Sequence, residues 1–108
     1  MRGILIDPFF KSITEVTVDG GLNSIYRELS PQHLSWEVSL VQTAMSGFDM
    51  VDVWVDEEGL FKENPAMFMV NSSGWLLGKG LLLGFDLNGE PIGCDLLLTE
   101  VVLAVTFP

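Results

Sequence analysis

Hydrophobic and polar positions alternate along much of this chain with the two-residue period of a strand, and the main departure from that period marks its centre. Leu81-Leu82-Leu83, entered through Gly78-Lys79-Gly80 and left through Gly84, is an unbroken apolar run. A run that short, fenced by glycine and lacking a polar face, predicts a strand over 80–86 that is covered on both sides and lies in the middle of a sheet. Trp75-Leu76-Leu77, between Gly74 and Gly78, is a shorter piece of the same kind. The rest of the chain has to supply the neighbours and the covers.

Residues 3–7 predict a first strand, stopped at Asp7-Pro8 because proline donates nothing to a ladder and restricts the residue before it. After a turn through Phe9, Phe10 and Lys11, residues 12–19 set Ile13, Glu15, Thr17 and Asp19 against Thr14, Val16 and Val18, a half-buried strand that completes a hairpin. Asp19-Gly20-Gly21 breaks it. Leu22, Ile25, Tyr26 and Leu29 then fall at i, i+3, i+4 and i+7, the stripe of a short helix that Ser30-Pro31 ends. Alternation over 36–42 predicts a third strand, with 43–47 as loop, and alternation over 50–55 predicts a fourth that runs into the turn Asp56-Glu57-Glu58-Gly59. Residues 67–70 lean to strand, and Asn71-Ser72-Ser73-Gly74 is loop by composition. Asp86-Leu87-Asn88-Gly89-Glu90 reads as a hairpin turn, since Asn-Gly tolerates positive φ at both central positions. Residues 96–107 leave two readings open: Thr99-Glu100 can start a helix, whereas Val101, Val102, Val105 and Thr106 favour strand. The sum is a single α+β domain over 1–108, mostly antiparallel sheet with one or two short helices packed on it.

Composition narrows the function classes. The chain is 48% hydrophobic and 19% charged, too apolar for disorder. Its five basic residues, Arg2, Lys11, Arg27, Lys62 and Lys79, are scattered among fifteen acids, for a net charge of -10. Direct nucleic-acid binding is disfavoured, because that affinity comes mainly from neutralising phosphates with Lys and Arg. Cys94 is the single cysteine, so no disulfide forms within the chain and a reducing, cytoplasmic compartment is the easier expectation. Met1 to Asp7 does not read as a signal peptide, and no apolar run approaches the ~20 residues of a membrane helix.

Five acids, Asp49, Asp52, Asp56, Glu57 and Glu58, form the sharpest charge feature. Converging carboxylates can hold a divalent cation or move protons. Solvated strand-edge and turn charges explain them with fewer assumptions, and no second acid-rich motif with ligand spacing accompanies them. Asp86 to Glu90 fails as a calcium loop, its glycine coming at the fourth position rather than the sixth. His33 has no glycine-elbow nucleophile to serve, and Cys94 beside Asp95 reads as a small buried apolar residue rather than a thiolate. Gly78-Lys79-Gly80 lacks the spacing of a phosphate loop. No catalytic residue, cofactor or metal is assigned. Trp54 is informative by the alternation: if Val53 and Val55 are buried, it faces the other way and is exposed. Trp75, at a strand entrance, is the second such ring.

Gly3-Ile4-Leu5-Ile6-Asp7-Pro8-Phe9, Val55-Asp56-Glu57-Glu58-Gly59-Leu60 and Gly78-Lys79-Gly80-Leu81-Leu82-Leu83-Gly84 followed by Asp86 occur in an order that resembles the DUF3846 family, with Ile13-Thr14-Glu15-Val16 and Ile25-Tyr26 between the first two. These are small domains of uncharacterised function found mostly in bacteriophages and mobile elements. The resemblance implies a phage-borne accessory protein acting in a bacterial cytoplasm and transfers no catalytic residue. Three expectations follow: a non-enzymatic module that binds a host protein or a small signalling molecule; an acidic mimic of nucleic acid that blocks a host DNA-binding protein; and a small carboxylate or metal-dependent hydrolase. The partner-binding candidates are Asp49, Asp52, Trp54, Asp56, Glu57, Glu58, Trp75 and Lys79. A homodimer is left open.

Overall fold

The computed structural model describes residues 1–19, 21–29, 41–56 and 66–108. Within them the order is β1 (Arg2–Asp7), β2 (Ser12–Thr17), α1 (Leu22–Leu29), β3 (Val41–Met45), β4 (Val51–Asp56), β5 (Met67–Val70), β6 (Leu76–Leu77), β7 (Gly80–Phe85), β8 (Pro91–Ile92), α2 (Leu98–Ala104) and β9 (Val105–Thr106). The fold is α+β. The larger sheet runs β2-β1-β7-β4-β3, with β8 also paired to β7, and a smaller sheet runs β6-β5-β9. Every pairing is antiparallel.

The leucine run is the middle strand. Leu82 stands between Ile4 and Val53, and Leu81 between Leu5 and Trp54. Both faces of this antiparallel sheet are covered, which is why β7 reads as continuously apolar rather than alternating. Ile4, Ile6, Val53, Val55 and Leu82 pack with Phe68 and Val70 of β5 and Val101 of α2. Leu81 and Leu83 pack on the other side with Val18 and with Ile25 and Leu29 of α1. The layers are therefore helix, six-stranded sheet, then small sheet with α2. β7 stays flush with its covers through its glycines: a methyl at Gly80 would overlap the Phe68 ring, and one at Gly84 would sit 2.9 Å from the Gly93 carbonyl oxygen.

Among the described residues most of the predicted elements stand, and the loop over 43–47 and the turn after β7 differ. The segment predicted as loop over 43–47 is strand as far as Met45, because residues 41–45 pair in full register with β4. Of the strand predicted over 36–42, residues 36–40 lie outside the described residues. In the turn after β7 only Gly89 takes positive φ, at +80°; Asp86 Oδ1 accepts from the N–H groups of Asn88 and Glu90, 2.9 and 3.0 Å away, and so holds a three-residue turn. Both readings of 96–107 are realised in sequence: α2 forms with Glu100 accepting the Leu97 N–H at 3.1 Å, and the chain then extends into β9 to pair with β5. Cys94 is buried; Arg2, absent from its neighbourhood in sequence, donates to its carbonyl oxygen at 2.9 Å and also to that of Leu96. Burial still dominates and pushes the Cys94 thiol up, out of the reactive range.

Gly80→Ala is expected to destabilise the fold by about 1–3 kcal/mol through overpacking against Phe68. Adding Phe68→Leu should make the double variant more stable than the sum of the two single losses, measured by urea unfolding; strict additivity would show that the two residues do not share that space.

Candidate functional site

Two groups of polar residues lie at opposite ends of β4. At one end Ser46, Gly47, Phe48, Asp49 and Met50 connect β3 to β4. The connection is tightly built. Ser46 is buried; its hydroxyl donates to the Val51 carbonyl oxygen and accepts from the Phe48 N–H at 3.1 Å. Gly47 and Met50 have φ of +81° and +55°, the left-handed conformation that reverses the chain. The Met50 carbonyl accepts the Phe85 N–H at 3.1 Å, fastening the loop to the end of β7. Asn71 buttresses it from β5, donating through Nδ2 to the Ser46 carbonyl at 2.8 Å and packing so closely that a side chain at Gly47 would collide with it.

The product is an open cleft of about 490 Å³ lined by Met45, Ser46, Gly47, Phe48, Asp49, Val51, Asp52 and Phe85. Its wall is largely apolar and carries two carboxylates. Asp52 follows Val51 into β4, opposite Leu83 and Met45 in the register, and so is half-buried, whereas Asp49 is exposed. Burial raises the Asp52 pKa above the ordinary aspartate value. Neither carboxylate accepts a hydrogen bond or forms an ion pair among the described residues. Other acids are engaged locally: Asp7 accepts from Phe9 N–H, Asp19 from Gly21 N–H, Asp86 from its own turn, Glu100 from Leu97 N–H, and Glu15 pairs with Arg2.

At the other end of β4 the polar group is internal. Lys79 directly precedes β7 and is 2% exposed, with its Nζ 4.0 Å from Asp7 Oδ2. Asp7 at the end of β1 and Asp56 at the end of β4 are buried as well. Burial pushes the Lys79 pKa down, while Asp7 and Glu28 of α1 act to raise it.

The sequence candidates therefore separate. Asp49 and Asp52 share the cleft. Lys79 and Asp56, read from sequence as possible partner contacts, are buried, just ahead of β7 and at the end of β4. Trp54 departs from the alternation argument: Val53 and Val55 are buried, yet Trp54 is only half-exposed because the opposite face is covered too, and it packs beside Leu81 and Leu83. Trp75 is 48% exposed, ahead of β6, and does not line the cleft. Glu57 and Glu58, and with them the turn at Gly59, lie outside the described residues, as does His33. Ser46, Phe48 and Phe85 were missed; the only signal for them was the Ser46-Gly47 turn pair between two alternating segments. Among the described residues no three His, Cys, Asp or Glu side chains gather as a metal site, and no helix is long and apolar enough to cross a membrane. A shallower, wholly different concavity of about 350 Å³ lies along α2, lined by Leu98, Thr99, Val102 and Leu103.

Asp52→Asn is expected to stabilise the fold at pH 7 and to lose that advantage as pH falls. The folded-state carboxyl has the higher pKa, so the native protein takes up its proton first and the burden of the buried charge is gone once pH drops through the ordinary value of 3.8. Thermal unfolding from pH 8 to pH 3 measures it; a constant difference across that range would be the contrary result. Lys79→Ala should lower stability by about 3 kcal/mol because Asp7 is left buried beside no cation among the described residues, and Asp7→Asn in the same chain should recover part of it. Models of known protein families, curated proteins and solved structures were all compared with this chain, and none matches.

Proposed function

We propose that this chain is a non-enzymatic binding module whose ligand seats in the cleft between the β3–β4 connection and Phe85. One observation carries the reading: Asp49 and Asp52 line an apolar concavity with no donor from the described residues, and Asp52 stays there although burial opposes its charge. A group held at the expense of local stability points to a task beyond folding. Asp52 sits on β4, and the loop that presents Asp49 is held by Ser46, Asn71 and the Met50–Phe85 hydrogen bond, so little ordering remains to be done when a ligand arrives. The volume falls in the range of ligand sites, and the mixture of apolar wall with few polar groups is their usual composition.

The resemblance to the DUF3846 family supports a bacteriophage setting, with the module acting in the host cytoplasm on a host protein or a small signalling molecule. Mimicry of nucleic acid has less support. It needs carboxylates spaced like phosphates on one face, and here Glu15, Asp19, Asp86 and Glu100 are each tied into local hydrogen bonds or ion pairs of separate elements.

Titration of ¹⁵N-labelled protein with a panel of small aromatic, amine, carboxylate and sugar fragments tests this. The expected result is a saturable set of amide shifts confined to Ser46 through Asp52 and Phe85, lost in Phe48→Ala while the far-UV spectrum is unchanged. Shifts that map only elsewhere would remove the cleft as the site.

A further inference from the structure

We infer that the cleft's occupant is an arginine side chain presented on the surface of a basic partner protein, an inference that rests on the binding-module reading above. Charge sets the sign of the ligand. The chain carries a net -10, and the two cleft carboxylates lack a cation among the described residues, so an approaching basic surface is steered toward them. The wall then selects among cations. Two half-buried aromatic residues, Phe48 and Phe85, line the cleft with Val51 beside Asp49 and Asp52. A guanidinium is planar, weakly hydrated and able to fork onto carboxylates while stacking on aromatic rings; an ammonium is compact and strongly hydrated and gains less from such a wall.

The rim selects the source. The cleft is open, and Met45 at the end of β3, which lines it, is 82% exposed; Met50, at the end of the connecting loop nearby, is 37% exposed. A free small molecule would leave much of its own surface in water there. A side chain projecting from a larger body would instead bring surface to cover the two methionines, whose unbranched thioethers adapt to an irregular partner. Arginine seated in a pocket with apolar contacts around it is a common centre of binding energy in protein interfaces.

The test uses the full chain, ¹⁵N-labelled, with four blocked probes: acetyl-Gly-Arg-Gly-amide, its lysine and citrulline counterparts, and acetyl-phenylalanine-amide. The arginine peptide should shift the Gly47, Asp49, Asp52 and Phe85 amides saturably. The lysine peptide should bind more weakly, and the citrulline peptide about tenfold more weakly or worse. Asp49→Asn and Asp52→Asn should each weaken the arginine peptide about tenfold, and Asp95→Asn, an exposed acid outside the cleft, should not. Citrulline binding as well as arginine, or Asp95→Asn weakening it as much as Asp52→Asn, would overturn the inference. If the phenylalanine probe shifts the cleft amides and the arginine peptide does not, the arginine assignment fails while the binding module stands. If no probe shifts them, both fall.

Discussion

The covering of the central strand on both faces and both edges is the constraint from which the rest of this structure follows. β7 is flanked by β1 and β4, roofed by α1 and floored by β5 and α2. Its backbone groups are satisfied mainly by neighbouring strands, and its buried side chains by apolar ones. The strand answers with leucine where there is room and glycine where there is not. Gly80 makes way for Phe68 and Gly84 for the returning chain at Gly93, so the two covers approach the sheet closely on the side where Val101 and Phe68 meet.

That cover has an electrostatic consequence at the strand ends. Lys79 and Asp7 sit where β7 and β1 enter the layered interior, and two charges placed there are tolerable because each meets the other and Asp7 also accepts the Phe9 N–H. The same acids and lysine would be ordinary solvated groups on a sheet with a bare face. At the far end of β4 Met45 is left exposed, and Phe48 of the connecting loop both packs in part against the core and lines a concavity. One strand thus carries a structural polar site at its C-terminal end and a candidate binding site at its N-terminal end.

Asp52 illustrates how the fold and the proposed function pull on one residue. Its place in the register beside Leu83 and Met45 half-buries it, and its charge would be more comfortable in water. A cation entering the cleft would reverse the sign of that environment, which is why a strand carboxylate with no partner among the described residues, beside a preformed loop, is a sharper pointer to a ligand than the count of fifteen acids.

The sequence by itself determined the elements: β1, β2, α1, β4, β5 and β7, the interior place of β7, the burial of Cys94 and the α+β class were legible from period-2 and period-3.6 patterning and from glycine and proline, because these signals are local. What the tertiary structure alone decided is which faces are covered and which acids converge. Trp54 could not be placed, since alternation distinguishes two faces without revealing that both are roofed. Lys79 and Asp56 could not be seen as interior, since their burial comes from elements far along the chain. Asp49 and Asp52 entered the sequence reading as two members of a run of acids, and only the docking of Phe85 and Asn71 against the β3–β4 connection makes them the two charges of a cleft. Such convergence depends on long-range packing, which no window of neighbouring residues encodes.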